Sequence, residues 1–514
     1  MSSTQAVTPA SLTSKQAGVL LFSILVVALC GIVYELIIGT VSSYLLGNSV
    51  YQFSFTIGFF MFAMGVGSLV SKYFDDNYVR NFICIEIVIA LIGGVSSILL
   101  FMAFPFVRVL YELVMYSLIL MIGALVGMEI PILTTLLSEK ASTKESIANV
   151  MSLDYVGALI GSVAFPLLLL PSLGLLQSSF AIGLINIFVA IVNVFVFRNH
   201  LAHFKQMLGV CMLILSLLIG CMFYGTYIAR FAEKHLYFDQ VIYTNQTPYQ
   251  KIVVTRSTTT REQRLYIDGH IQFSTRDEYR YHEYLVHPVM SVAGPKENVL
   301  ILGGGDGLAA REVLKYEGVE NIHLVDIDPE MTRIGKELPI LTRLNKKSMS
   351  SDKLVAYNED AFSFINKAGV NYDRVIIDMP DPHNEAINKL YSREFYTMIK
   401  RRMNPDAVLI TQSSSPFFTR HVFWCIEETL ASVFDHTLSY KTTLPSFGIW
   451  GFNMAKNNAE FPDAFTFDVP TRAISSASMK AAMIFEKDIV KVPTSVNSIM
   501  EPRLYQFYIK DLES

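Results

Sequence analysis

The chain has 514 residues, of which 52% are hydrophobic and 17% are charged, and its formal net charge at pH 7 is −4. A chain of this length is too long for one hydrophobic core, and its slightly negative charge argues against nucleic acid as a partner. The five cysteines form no CxxC pair, so they predict neither a zinc site nor a disulfide framework, and we predict no metal.

The first 230 residues consist mainly of long apolar runs. Because about twenty apolar residues cross a bilayer as a helix, this composition predicts a multi-pass α-helical membrane domain over residues 1–230 with seven spans. The predicted spans are residues 17–46, 50–71, 82–104, 109–137, 147–170, 175–197 and 206–229. Small residues at Gly65–Ser68 and Gly157–Ser162 predict positions where two helices approach closely.

Three acidic residues, Glu35, Glu129 and Asp154, fall inside these predicted spans. A carboxyl group is costly at that depth, so each is a candidate functional residue. Two interpretations are open. The acids cap broken helices or bond to neighbouring hydroxyl groups, or they form an anionic site for a cation within the bundle.

After Arg230, four short segments rich in β-branched and aromatic residues predict a small antiparallel β-sheet over residues 231–276. Strands and helices then alternate over residues 277–456. This pattern predicts an α/β Rossmann-like domain of the methyltransferase type, with a doubly wound parallel sheet that ends in an antiparallel pair. Residues 457–514 have a loose pattern, are interpreted as a C-terminal tail, and suggest no chemistry.

The stretch Asn298–Asp328 predicts a turn that binds a nucleoside. An apolar strand leads into the glycine-rich sequence GGGDG, a helix follows, and a second strand ends at Asp326, about twenty residues past the glycines. An acid at that position can hold the two hydroxyl groups of a ribose. The unusual residue is Asp306, a carboxylate inside the turn itself.

Acidic residues also follow the next two predicted strands, and together they form a set at the carboxyl ends of four strands: Asp306, Asp326, Asp360, Asp378 and Asp381. Because these ends meet at one edge of an α/β sheet, we expect the acids to share a site that binds a cation. S-adenosylmethionine carries a sulfonium but also a carboxylate, which Asp306 would repel. A decarboxylated donor removes this conflict.

The second substrate would be an alkyl amine. Its pKa of roughly 10 keeps it protonated and unreactive at neutral pH. Asp378 could take or steer that proton, while Asp381 could anchor a diamine.

The runs RLYIDGHIQFSTRDEYRYHE, LILGGGDG, VDID, EDAF, IIDMPDP and SREFY together resemble the spermidine synthase (polyamine aminopropyltransferase) family, and the seven-span N-terminal part resembles the membrane-bound branch of that family. The resemblance covers about residues 237–455. It implies decarboxylated S-adenosylmethionine as a co-substrate, no tightly bound cofactor, a putrescine-like diamine acceptor, and spermidine and methylthioadenosine as products. We also expect a homo-oligomer.

On the donor side, the resemblance implies that Gln250 contacts the thioadenosine and that Asp306 holds the aminopropyl ammonium. It further implies that Asp326 binds the ribose and that Asp360, with the adjacent Ala361, binds the adenine.

On the acceptor side, the resemblance implies that Asp378 accepts the proton and Asp381 binds the amine. His282 would lie beside the polyamine, and Tyr440 would add a hydroxyl group to its channel.

Two other functions remain open at this point. One is a membrane-bound methyltransferase that uses intact S-adenosylmethionine. The other is a polyamine transporter or sensor whose soluble domain only binds its ligand.

Lysine and arginine residues near the span ends bear on orientation. Those on the N-terminal side of the predicted membrane are Lys15, Lys72, Arg80, Lys140, Lys144, Arg198 and Lys205. In the short opposite connections there is only Arg108. This bias places the N-terminus inside and, with seven spans, the catalytic domain outside. Because the nucleoside substrate is made in the cytosol, we nevertheless expect a protein of the cell (inner) membrane with a cytoplasmic catalytic domain.

Overall fold

The computed structural model divides the chain into two compact units, Met1–Phe238 and Asp239–Ser514, which we call the helical unit and the α/β unit. The structure describes residues 12–46, 49–74, 77–106, 110–138, 140, 142–237, 239–367, 369–382 and 385–513. Arg108, used above for orientation, lies outside these residues.

The described part of the helical unit contains seven long helices: α1 (Ser14–Leu46), α2 (Ser49–Val70), α3 (Tyr78–Phe106), α4 (Tyr111–Ser138), α5 (Thr143–Ala164), α6 (Leu170–Val196) and α7 (Phe204–Leu236). By length and composition, six helical segments of the described chain could cross a membrane, because the segment Thr143–Val196 contains both α5 and α6. The predicted domain boundary at residue 230 falls inside α7.

Helix α5 packs closely along α1 through glycine. A Cβ atom on Gly157 would lie 2.2 Å from the carbonyl oxygen of Leu25, and one on Gly161 would lie 2.7 Å from that of Leu29. Both glycines are therefore required for the contact, as the small residues predicted. Because the numbers rise together, α5 runs in the same direction as α1.

Helix α6 runs in the opposite direction along α1. The Cys30 thiol lies 3.9 Å from the carbonyl oxygen of Ile182, whereas the Asn193 amide donates to the Ser23 hydroxyl at 2.8 Å. The chain therefore reverses its direction after α5. Its backbone leaves the helical conformation at Gly174, near the start of α6, where φ is +71°.

The predicted acids of the helical unit are buried to different degrees. Glu35 and Glu129 are 6% and 3% exposed, whereas Asp154 is half-buried. A fourth acid, Glu86 on α3, is fully buried and faces Glu129. The ion pairs formed by described residues include neither Glu86 nor Glu129, so this buried acid pair has no cationic partner there.

The α/β unit begins with the predicted small antiparallel sheet. Its strands, adjacent in chain order, are β1 (Gln240–Gln246), β2 (Lys251–Arg256), β3 (Gln263–Ile267) and β4 (His270–Ser274). The sheet therefore starts nine residues later than the predicted boundary at residue 231, because α7 extends to Leu236.

A seven-stranded sheet of order β10-β11-β9-β8-β5-β6-β7 forms the centre of the unit. Its strands are β5 (Asn298–Gly303), β6 (Asn321–Val325), β7 (Leu354–Tyr357), β8 (Tyr372–Asp378), β9 (Met403–Gln412), β10 (His436–Leu444) and β11 (Gly448–Lys456). Strands β5 to β9 are parallel, and β11 and β10 add an antiparallel pair. The predicted Rossmann-like sheet is confirmed.

Helices cover this sheet on both sides. They are α8 (Glu278–Ser291), α9 (Leu308–Val313), α10 (Pro329–Glu337), α11 (Pro339–Leu344), α12 (Ala361–Lys367), α13 (Glu385–Asn388), α14 (Arg393–Lys400), α15 (Arg420–Ala431), α16 (Ser476–Ala482) and α17 (Leu504–Glu513). Residues 299–302 of β5 are fully buried between two apolar clusters, which explains their unbroken apolar run.

The strand order reverses between β5 and β8, where the carboxyl ends of the two strands lie side by side. Gly303 at the end of β5 pairs with Asp378 at the end of β8. Ligands of open α/β sheets bind at such a reversal, so the fold places the glycine-rich turn and Asp378 at the same crevice.

Candidate active site

A cavity of about 640 Å³ opens at this edge of the sheet. All but one of the residues predicted to bind donor or acceptor line it: Gln250, His282, Asp306, Asp326, Asp360, Ala361, Asp378 and Asp381. The strand-end acids therefore lie together, as the topology requires. A pocket of this volume can bury a nucleoside with a short chain attached.

Glycines in the turn allow two of these acids to approach the backbone. Gly303 has a φ of +87°, and a Cβ atom there would lie 2.1 Å from the carbonyl oxygen of Asp378. A Cβ atom on Gly305 would lie 2.5 Å from a carboxylate oxygen of Asp326. Side chains at these positions would push β8 and β6 away, so the cavity depends on both glycines.

Asp326 is held in place by the backbone of the turns around it. One oxygen accepts from the Gly305 amide at 3.0 Å, and the other accepts from the Asp328 amide at 2.9 Å. Burial raises the pKa of Asp326 to about 6, although these two hydrogen bonds act to lower it. Each carboxylate oxygen has a second lone pair, so the group can still accept from the two hydroxyl groups of a ribose.

Asp306 places a carboxyl group at the start of α9. Its Oδ1 atom accepts from the Leu308 amide at 2.9 Å, and the side chain is 8% exposed. Burial raises the pKa of Asp306 to about 6, whereas the charge of His282 acts in the opposite direction. A cationic ligand at this position would favour the ionised form.

Asp378 receives a hydrogen bond from a tyrosine. The Tyr281 hydroxyl donates to its Oδ1 atom at 2.7 Å. Burial raises the pKa of Asp378, although His282 and this hydrogen bond lower it. The structure thus places the Tyr281 hydroxyl on the predicted catalytic carboxylate.

His282 is oriented by a buried ion pair behind it. Its Nδ1 atom lies 2.7 Å from the Glu278 carbonyl oxygen and 3.1 Å from the carboxylate. Arg311 grips both carboxylate oxygens of Glu278 at 2.9 Å. Burial alone would lower the pKa of His282, but Glu278 outweighs it, so the net pKa is raised.

Asp381 lies beside the end of β9. Burial raises its pKa to about 7, and hydrogen bonds from Gln412 and Ser414 oppose that shift. Gln412 also donates to the Met379 carbonyl oxygen at 2.7 Å and to the Tyr391 hydroxyl at 2.6 Å. These bonds fix the loop between the two acids.

Asp360 is more exposed than the other acids, and its carboxylate lies 3.4 Å from the Lys389 ammonium. Both residues line the cavity together with Gln250. The backbone amide of Gln250 donates to the Thr247 hydroxyl at 3.0 Å, which stabilises the turn between β1 and β2.

Tyr440 requires a correction. The prediction placed its hydroxyl in the polyamine channel, but the side chain is fully buried and does not line the cavity. The hydroxyl donates to the Tyr284 carbonyl oxygen at 2.6 Å, and the ring stacks on Phe452. The register of β10 directs the Tyr440 side chain into the protein interior toward α8. The spacing of residues in the sequence did not reveal this direction.

The structure also adds residues to the cavity that the sequence did not single out, notably Gln412, Trp450 and Tyr508. Tyr508 lies on α17, within the segment that the sequence analysis interpreted as a C-terminal tail, so this segment contributes to the wall of the cavity. Gln412 is the last residue of β9, and a polar residue at the end of an apolar strand could have indicated its place in the cavity. Nothing in the pattern of residues 504–513 marks Tyr508.

Behind the cavity, Glu283, His287 and Glu312 bring potential metal-binding atoms within 4.8 Å of one another. These acids already have partners. Glu283 accepts three backbone amides from residues 472–474, and Glu312 pairs with Arg311. The arrangement is explained as packing between α8 and α9, where the Nε2 atom of His287 lies 2.9 Å from the Glu312 carboxylate.

The fold and the cavity define an α/β domain with a crevice lined by carboxyl groups at the ends of its parallel strands. The family model for the spermine/spermidine synthase domain matches residues 278–465. A polyamine aminopropyltransferase from Leptospira interrogans is 41% identical, over 96% of this chain and 98% of that protein. One from Oceanobacillus iheyensis is 39% identical, over 97% and 98% of the two chains.

The chain therefore belongs to the polyamine aminopropyltransferase family and is an enzyme of that family. Among solved structures, the spermidine synthase of Thermotoga maritima is similar, with a TM-score of 0.43 and 24% identity, over 53% of this chain and 87% of that one.

Proposed function

We propose that the enzyme transfers the aminopropyl group of decarboxylated S-adenosylmethionine to putrescine. The amine nitrogen attacks the carbon next to the sulfonium, a carbon–nitrogen bond forms, and the carbon–sulfur bond breaks with its electron pair moving to sulfur. The attacking amine loses one proton. The products are spermidine and methylthioadenosine, and sulfur leaves as a neutral thioether that needs no general acid.

The donor assignment rests mainly on Asp306. Asp326, which follows β6, accepts from the Gly305 amide of the glycine-rich turn, and Asp306 is the next residue of that turn. With the ribose assigned to Asp326, the chain attached to the nucleoside would extend toward Asp306. An ammonium group there would be stabilised by Asp306, whereas a carboxylate would be repelled. This choice favours the decarboxylated donor over intact S-adenosylmethionine, and it argues against a methyltransferase.

The acceptor assignment rests on Asp378 and Asp381. A protonated amine cannot act as a nucleophile, so a proton acceptor must take its proton before the new bond forms. Asp378 has the raised pKa and the buried setting suited to this role, and Tyr281 holds it in position. Asp381 supplies a second anionic site for the distant ammonium group of a diamine.

The test is turnover by the purified full-length protein. With decarboxylated S-adenosylmethionine and putrescine, we expect stoichiometric release of methylthioadenosine and spermidine. Intact S-adenosylmethionine with the same amine is the matched control, and it should give no methylated or alkylated product. Methyl transfer in the control, with none of the first reaction, would replace our proposal by the methyltransferase alternative.

We further propose that the helical unit is embedded in the cell membrane and that the α/β unit faces the cytoplasm. The length and apolar composition of its helices support the first part. The cytosolic origin of the donor supports the second, against the lysine and arginine bias. Reporters fused after Ser514 that are active only in the cytoplasm or only in the periplasm decide the orientation; activity of the periplasmic reporter alone would overturn it.

A further inference from the structure

Helix α17 brings an aromatic side chain to the cavity from a region beyond the matched synthase domain. The family model ends at residue 465, whereas Tyr508 lies on α17 and lines the cavity on the side of Asp381. Ile387 and Leu390, from the segment after Asp381, line the cavity as well. Asp381 is therefore followed by a largely apolar part of the wall, in which Lys389 is held by Asp360 at 3.4 Å.

The start of α17 is anchored to the loop that follows Asp381. The fully buried Asn497 accepts from the Arg503 backbone amide at 3.0 Å. Its side-chain amide donates to the carbonyl oxygens of Asn388 at 3.2 Å and Tyr391 at 3.1 Å. The entry into α17 and this part of the cavity wall are thus one hydrogen-bonded structure.

The end of α17 is anchored to α15. Asp511 accepts from the His421 backbone amide at 2.8 Å and contacts the His421 ring at 2.5 Å. Phe507 stacks on the same ring, with centroids 5.7 Å apart. Tyr508 therefore lies between two anchors, and a helix held at both ends keeps its side chain in a defined position.

In the proposed binding mode, the reacting amine of a linear polyamine lies at Asp378 and its next ammonium group at Asp381. A longer arm would then extend past Asp381, toward the part of the wall that Tyr508 lines. A buried ammonium without an anionic partner is costly, and a ring fixed in place gives it no room.

We infer that Tyr508 is a specificity-determining residue that limits the length of the acceptor amine. The inference rests on the proposed function, because it takes Asp378 and Asp381 as the two ends of the bound diamine. The ligand class it selects is a short diamine, and the class it excludes is a polyamine with a further aminopropyl arm.

The experiment compares kcat/KM for spermidine and for putrescine as acceptors in full-length variants. Tyr508→Ala should raise the ratio of spermidine to putrescine by tenfold or more, since filling or emptying a pocket by a few carbon atoms changes selectivity by about 10–200-fold. Tyr508→Phe keeps the ring and should leave the ratio within about twofold of the wild type. Met500→Ala changes an exposed residue of the same segment and serves as the surface control.

Two results would overturn the inference: an unchanged ratio in folded Tyr508→Ala protein, or an equal change in Tyr508→Phe, which would assign the effect to the hydroxyl. If Tyr508→Ala does not fold, Tyr508→Leu is measured in its place with the same expectation. Wild-type turnover with putrescine separates the two hypotheses. Its absence refutes the proposed function, whereas its presence with an unchanged ratio refutes only the role of Tyr508.

Discussion

The two units of the chain bury carboxyl groups in different ways. In the α/β unit, Glu278 and Glu312 are buried against Arg311, which binds both of them. In the helical unit, Glu86 and Glu129 are buried facing each other, without an ion pair among the described residues. A buried carboxylate needs a cation, a proton or donor groups nearby. The α/β unit supplies this cation from its own chain, whereas the described part of the helical unit does not.

Two acids of the cavity, Asp306 and Asp378, resemble the helical pair more than the paired acids behind them. Asp306 is buried and Asp378 is partly buried, and neither forms an ion pair with a lysine or arginine among the described residues, whereas Asp360 contacts Lys389. At the cavity, we propose that the substrate supplies the missing cation. Paired acids therefore mark where the chain stabilises itself, whereas unpaired acids mark where something else is required to complete the charge balance.

The largest effect is expected at the cavity. Asp378→Asn removes the proton acceptor but keeps the shape, so kcat should fall by about a thousandfold, within the usual range for general-base catalysis. Steady-state release of methylthioadenosine measures it. Asp352→Asn, at an exposed acid of the same unit, is the control and should retain full activity. Turnover of Asp378→Asn within a few-fold of the wild type would refute the role of Asp378.

The second prediction tests the difference between paired and unpaired acids directly. Glu278→Gln leaves Arg311 buried without its bidentate partner and should lower stability by about 3 kcal/mol. Glu86→Gln leaves no cation behind, so it should change stability by less than about 1 kcal/mol. Both are measured by thermal or denaturant unfolding of the full-length protein in the same detergent. Equal losses in the two variants would show that the helical pair is also held by a charge partner.

The smallest effect is a dependence on pH. The folded pKa values of Asp381 and Asp306 are raised to about 7 and about 6, so these carboxyls become neutral as the pH falls through that window. Neutral carboxyls bind cations poorly, and kcat/KM for putrescine should therefore decline from about pH 7 downward, by up to about tenfold per pH unit. Asp381→Asn should lower kcat/KM and remove the upper part of this decline. An acidic limb that keeps its position in that variant would mean that another group controls it.

Much of the site could be predicted because it is built from local patterns that meet at a general feature of the fold. The glycine turn and the acids at the ends of four predicted strands needed only the rule that parallel strands present their carboxyl ends at one edge. The long apolar runs likewise predicted the helices of the first unit, and Gly157 and Gly161 predicted a close contact that the structure contains.

Other parts depended on packing between distant residues. Tyr440 and Tyr508 are both tyrosines in short elements. The Tyr440 hydroxyl donates to the Tyr284 carbonyl oxygen in the protein interior, whereas Tyr508 lines the cavity. Glu86 lies in a run that was predicted as a span, and only the approach of α3 to α4 pairs it with Glu129.

The sequence alone therefore determined the two-unit organisation, the nucleoside-binding turn and the set of acids, because periodicity and strand ends are local properties of the chain. The tertiary structure decided which hydroxyl supports Asp378, which acids lack a cation, and that residues near the C-terminus close the cavity. These outcomes depend on side-chain direction and on contacts between residues far apart in the chain, which no local pattern records.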